Sequence, residues 1–110
     1  MITWHDFEKV EMRVGTIIEI NDFPKAKKPA YQLTIDFGVE LGIKKSSAQI
    51  TKRYTKEDLL GKQIIAVVNF PKKQIADFMS ECLVLGSVGE ENDIVLLTSD
   101  IPVENGLRIG

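Results

Sequence analysis

The chain holds one cysteine, one histidine and one tryptophan among its 110 residues. No apolar run approaches the ~18 residues that a membrane helix requires. Each scarcity removes a class of function. A lone thiol makes no internal disulfide, and Cys82 lies within the apolar run CLVL, where it reads as a packed core residue. His5 stands among helix-capping residues near a terminus, a poor position for a general base. Gly61-Lys62 has no earlier glycine to build a phosphate-cradling loop, and Glu90-Glu91-Asp93 lack the spacing of a calcium loop and read as a solvated turn. These absences argue for a protein that works by binding, without catalysis, cofactor or metal. The opening MITWHDFEKVEM lacks the basic-then-apolar layout of a signal peptide, so the expected setting is the reducing cytoplasm, with no insertion into a membrane.

What is present is ordinary in amount and unusual in arrangement. Hydrophobic residues make up 44% and charged residues 27%, which fits a single domain over residues 1–110 that buries roughly two-thirds of its unfolded surface. The formal net charge of −2 conceals a polarity: residues 1–43 carry −2, residues 44–73 carry +6 and residues 74–110 carry −6. Such segregation permits a local positive field on a nearly neutral molecule; the other reading is that the lysines are spread over a solvated surface. The stretch GIKKSSAQITKR concentrates Lys44, Lys45, Lys52 and Arg53 around Ser46, Ser47 and Gln49.

Alternation dominates the chain. Val10, Met12, Val14, Thr16, Ile18 and Ile20 predict one half-buried strand, with Gly15 as a bulge or bend. YQLTIDF predicts a second. A third starts in phase with Val39, Leu41 and Ile43 and then switches to Ala48 and Ile50, which predicts a bulge at Lys44-Lys45. Thr55, Asp58, Leu59-Leu60 and Gly61 mark a single short helix. QIIAVVNFP reads as a strand buried on both faces, CLVLG and DIVLL as short strands around the turn GEEND, and PVENGLRIG holds an Asn-Gly turn. The expected class is therefore all-β with one short helix. A helix between the third and fourth strands is the organisation of the OB-fold, a five-stranded Greek-key barrel. That fold would bring three basic segments to one groove: Lys25, Lys27 and Lys28 of the first loop, the stretch from Lys44, and Lys72-Lys73 of the loop PKKQIADFMSE.

The blocks DFEKVEMRVGTI, FPKAKK, YTKEDLLGK and VVNFPKKQIADFMSECLVL together resemble the tRNA-binding domain that occurs appended to some aminoacyl-tRNA synthetases and as free-standing dimers. KKSSAQIT and VVNFP are closer to one branch of that family, the bacterial secretion chaperones of the CsaA type. The resemblance spans nearly the whole chain. It implies an OB-fold whose C-terminal strands pair two subunits into a homodimer. It also implies two activities, binding of tRNA or other structured RNA and ATP-independent binding of unfolded or export-bound preproteins. Of the family's tRNA-contact positions, Lys52, Arg53, Asn69 and Ser80 match here, and Ser46-Ser47 occupy the strand-three place. The loop after Asn69 departs from the family pattern: Ala76 and Asp77 stand where a basic residue and glycine are usual, and Gln74 replaces a frequent cation.

Two binding modes follow. In the first, Lys44, Lys45, Lys52, Arg53, Lys72 and Lys73 neutralise phosphates while Ser46, Ser47, Gln49 and Asn69 hydrogen-bond sugars and base edges. In the second, Phe78 and Met79, with Phe23 and Phe70 across the groove, form an apolar floor inside a basic rim and hold unfolded polypeptide. A competing assignment has Phe78 and Met79 plugging the dimer interface or capping the barrel.

Overall fold

The computed structural model describes residues 1–110 as a small barrel with two short helices. Its elements are α1 (Trp4–Glu8), β1 (Met12–Asp22), β2 (Tyr31–Asp36), β3 (Ile43–Ala48), α2 (Lys56–Leu59), β4 (Gln63–Val67), β5 (Lys73–Ile75), β6 (Phe78–Ser80), β7 (Leu83–Val84), β8 (Gly86–Val88) and β9 (Ile94–Leu96). A five-stranded antiparallel sheet runs β3-β2-β1-β4-β7, and β5-β6 and β8-β9 form separate hairpins. The sheet curls until β3 meets the segment around Glu81, which makes a nearly closed barrel of the OB type. α2 follows β3 as that fold requires.

The barrel closes without a regular ladder. The Glu81 N–H donates to the Lys45 carbonyl at 2.7 Å, the Ser46 hydroxyl to the Cys82 carbonyl at 2.9 Å, and the Ser47 N–H to the Ser80 hydroxyl at 3.4 Å. Ile17, Leu33, Ile35, Phe37, Ile64, Ala66 and Cys82 fill the interior, and Leu59, fully buried, plugs it from α2. Thr55 caps α2 through a reciprocal pair of bonds with Asp58, and Gly61 leaves the helix at φ +84°. β4 is buried from Ile64 to Val67, in agreement with its continuous apolar run.

Three local expectations need correction. β2 and β3 pair without interruption from Tyr31↔Ala48 to Asp36↔Ile43, so there is no bulge at Lys44-Lys45. Val39 and Leu41 belong to a turn between Gly38 (φ +93°) and Gly42 (φ +76°), and that turn produced the apparent change of phase. The register slips in β1 instead, between Ile17 and Glu19, which leaves Ile18 exposed. Gly15 is required for another reason than a bend: a Cβ there would lie 2.6 Å from Ile35 Cγ2 and 2.7 Å from the Phe37 ring. Finally, α1 is a second short helix, capped by Thr3 and Asp6 in the same reciprocal way as α2.

The C-terminal segment runs back along the barrel. LRIG lies along β1 of its own chain, with Val14 N–H bonded to Leu107 O at 3.0 Å and Ile109 N–H to Met12 O at 2.9 Å. Gln63 and Asn105 anchor this tail: the Gln63 amide bonds Val103 at both ends (2.7 and 3.0 Å), and Thr16 donates to Asn105 Oδ1 at 2.8 Å. β8 and β9 leave Val88, Val95 and Leu97 exposed.

Candidate binding groove

The surface beside β3 is built from three non-adjacent pieces of chain. Alternation turns Ser46 and Ala48 of β3 inward and leaves Ser47 and Lys45 on the outer face, with Gln49 following in phase. The long loop after β1 is fixed from below by Phe23, which is 4% exposed and meets the Phe78 ring at 5.5 Å and 58°. That contact holds the β5-β6 hairpin against the loop. The segment PKKQIADFMSE is thus an ordered hairpin, with Lys73↔Ser80, Gln74↔Met79 and Ile75↔Phe78 paired across it. Its two-residue turn places Ala76 at φ +52°, the left-handed region where glycine or asparagine is usual.

Two concavities open side by side here. One, of about 570 Å³, is lined by Lys25, Lys27 and Lys28, by Ser47 and Gln49, and by the hairpin residues from Lys73 to Ala76. Its neighbour, of about 500 Å³, takes Phe70, Lys72, Ser80 and Leu83. Ser47, Lys73 and Ile75 line both, so the pair forms one groove. A smaller depression of about 190 Å³ holds Lys52, Glu91 and Asn92 and shares Gln49 with the first.

The groove therefore gathers Lys72 and Lys73 with the loop lysines, Ser47, Gln49 and Ser80, and Lys52 extends it through Gln49. The other expected contacts lie elsewhere or are already engaged. Ser46 is 1% exposed and its hydroxyl is spent on Cys82, so it faces the barrel interior and cannot reach an RNA. Lys44, on the same inward face, is half-buried near the Cys82 thiol. Lys45 projects outward beside Ser47 but lines neither concavity. Asn69 clamps the N-terminal segment: its Oδ1 accepts from Glu11 N–H at 3.1 Å and its Nδ2 donates to Lys9 O at 2.7 Å. Of the four apolar residues expected on the floor, only Phe70, 55% exposed, lines the groove. Phe23 and Phe78 pack on each other, and Met79 projects from the opposite face of β6. Ile75, which no sequence pattern marks, supplies the apolar surface common to both concavities.

Several cations already have carboxylate partners. Arg53 forks onto Asp93 through Nε and Nη2, the latter at 2.9 Å, and this hydrogen bonding raises the guanidinium pKa and lowers that of the carboxylate. Lys25 lies 3.3 Å from Asp77 and Lys72 3.4 Å from Glu81. The Cys82 thiol is pushed up to about 11, chiefly by burial. No group of three His, Cys, Asp or Glu side chains is positioned to hold a metal ion.

Comparison with known proteins places this geometry. The chaperone CsaA from Bacillus anthracis superposes with a TM-score of 0.95 at 53% identity, covering 100% of this chain and 99% of that one. The CsaA chaperone protein from Picrophilus torridus gives 0.93 at 55% identity, with full coverage of both chains. Among curated sequences, the methionine–tRNA ligase of Methanocaldococcus jannaschii is 34% identical over 103 residues, 93% of this chain. This chain spans only 15% of that ligase's length. Residues 12–108 match the family described as "Putative tRNA binding domain", and the chain belongs to that family.

Proposed function

We propose that the protein is an ATP-independent holdase of the CsaA type, which binds unfolded or export-bound polypeptides in the groove beside β3 and releases them by mass action, without chemical catalysis. The observation that carries this reading is the pair of joined concavities, where the apolar side chains of Phe70 and Ile75 share the lining with lysines of the first loop and of the hairpin. A floor of this kind suits chain segments that mix apolar with polar or acidic residues. The likeness to CsaA chaperones across the full chain supports the same assignment. A cytoplasmic setting, in which Cys82 stays reduced, belongs to the proposal.

A homodimer completes it. Val88, Val95 and Leu97 on the β8-β9 hairpin are 78%, 43% and 47% exposed, an apolar surface suited to burial against a second copy. Light scattering should report twice the monomer mass at micromolar concentration.

The direct test is suppression of aggregation of a denatured protein in the absence of nucleotide. Phe70→Ser combined with Ile75→Ser should abolish it. A folded double variant that retains full suppression would overturn the groove assignment.

A second reading, tRNA binding at the same groove, is favoured by Lys27, Lys28 and Lys73, which line it and have no carboxylate partner. Neutralising about four phosphates would give a slope of log affinity on log salt of about −3. Competition between tRNA and a denatured chain would establish whether the two ligands share the groove.

A further inference from the structure

Two cations that line the groove, and Arg53 beside the depression that Lys52 and Asn92 line, are matched with acids from other segments of the chain. Lys25 of the first loop meets Asp77 of the hairpin turn, Lys72 meets Glu81 across the hairpin, and Arg53 meets Asp93 of the turn before β9. Two of these acids are built into the fold. Glu81 is 25% exposed, and its second oxygen accepts the Lys45 N–H at 3.0 Å on the barrel seam. Asp93 is 28% exposed, and its turn is closed by Gly89 N–H on Asp93 O at 2.9 Å. The same turn is pinned to the residue that follows β3 by Asn92, whose amide donates to Gln49 Oε1 at 3.0 Å.

We propose that Asp77, Glu81 and Asp93 are specificity-determining residues: they occupy cations in and beside the groove internally and so select polypeptide over polyanion. The inference rests on the reading of the groove as a polypeptide site. A phosphate that approaches a paired cation meets a nearly neutral unit and a carboxylate about one hydrogen-bond length away. It must either share the cation with that carboxylate or displace it, and in both cases like charges are left close together. The thermodynamic gain from releasing a nucleic acid's condensed counter-ions is lost at that position. A neutral peptide suffers no such penalty, because its carbonyls and apolar side chains do not compete with carboxylates for a full positive charge. Exposed ion pairs add little to folding stability, so their value here lies in discrimination.

The test is a triple variant, Asp77→Asn, Glu81→Gln and Asp93→Asn, which keeps one acceptor oxygen on each side chain and removes the charge. Binding of unmodified tRNA is measured by salt titration beside the parent protein. The expected result is a slope of log affinity against log salt steeper by about 2, and affinity at low salt raised on the order of 10- to 100-fold. A control triple, Glu40→Gln, Asp100→Asn and Glu104→Gln, makes the same change in net charge away from the groove and should move the slope by less than half as much. A folded triple variant with the parent's slope, or a control that matches it, overturns the proposal. Should the triple variant melt early, Asp77→Asn alone suffices: its gain should vanish when Lys25→Ala is added, and persistence of the gain refutes the mechanism. Aggregation suppression is measured on the same proteins. Its absence in the parent overturns the polypeptide reading, whereas an unchanged tRNA slope with suppression intact overturns only the role of the three acids.

Discussion

The Phe23 and Phe78 rings meet at 5.5 Å although 54 residues separate them in sequence, and this contact sets the position of the hairpin that walls the groove. Phe23 is buried and Phe78 half-buried, so the two positions should respond differently to truncation. Phe23→Ala should cost about 3–5 kcal/mol and Phe78→Ala about 1–2 kcal/mol in urea unfolding. Phe78→Ala should also weaken client binding through displacement of Ile75, with amide exchange in β5 and β6 accelerated. If exchange there is unchanged, the hairpin is held by something else.

Asn69 gives a prediction that separates architecture from recognition. Both ends of its amide bond the main chain at Lys9 and Glu11, tying the link between α1 and β1 to the end of β4. Asn69→Ala should cost about 1–2 kcal/mol and speed exchange of the Glu11 amide. At temperatures where the variant is folded, its salt slope for tRNA should equal the parent's, since the side chain neutralises no phosphate.

The cap of α2 couples to pH. The Asp58 carboxylate accepts the Thr55 N–H at 2.9 Å while Thr55 Oγ1 accepts the Asp58 N–H at 3.2 Å. Hydrogen bonding from Thr55 to the carboxylate, the backbone N–H foremost, holds the Asp58 pKa below its ordinary 3.8. The associated stability is present above pH 3.8 and is lost as pH falls through the lower folded value. Thr55→Ala should cost about 1 kcal/mol at neutral pH. Asp58→Asn should flatten the acid limb of a melting profile; an unaltered limb would contradict the coupling.

Cys82 governs the opposite limb. Burial raises its thiol from 9.0 to about 11, so the folded state retains a proton that the unfolded state releases in between. Stability from this source is complete below pH 9 and declines through pH 11, by an amount on the order of 2–3 kcal/mol. Cys82→Ala should remove that part of the alkaline decline. The native thiol should also react slowly with a disulfide reagent at pH 8 and rapidly after denaturation.

Much of the barrel was legible because its strands obey simple periodicities. Tyr31, Leu33, Ile35 and Phe37 alternate cleanly, and the Thr55–Asp58 cap with Gly61 announces α2. The turn from Gly38 to Gly42 was not, since Val39 and Leu41 keep strand-like alternation while two left-handed glycines bend the chain. Convergence of loop lysines with Lys72 and Lys73 followed from fold order. Their pairing with Asp77 and Glu81 did not, because counter-ions from distant segments leave no local pattern. Ser46 and Asn69 illustrate the same limit: polar side chains suited to a ligand are consumed by Cys82, Lys9 and Glu11, partners visible only in three dimensions.

At the junction between β3 and the Glu81 segment, one main-chain bond, from Glu81 N–H to Lys45 O, is joined by hydroxyls and a carboxylate where a sheet would use a run of main-chain bonds. Side chains can be exchanged one at a time, whereas a backbone ladder cannot. The spacing of the walls on either side is therefore adjustable by single substitutions at Ser46, Ser80 or Glu81 while the remaining four strand junctions stay intact. A lineage built on this scaffold can retune the width of its cleft, and with it the ligands admitted, without rebuilding the barrel.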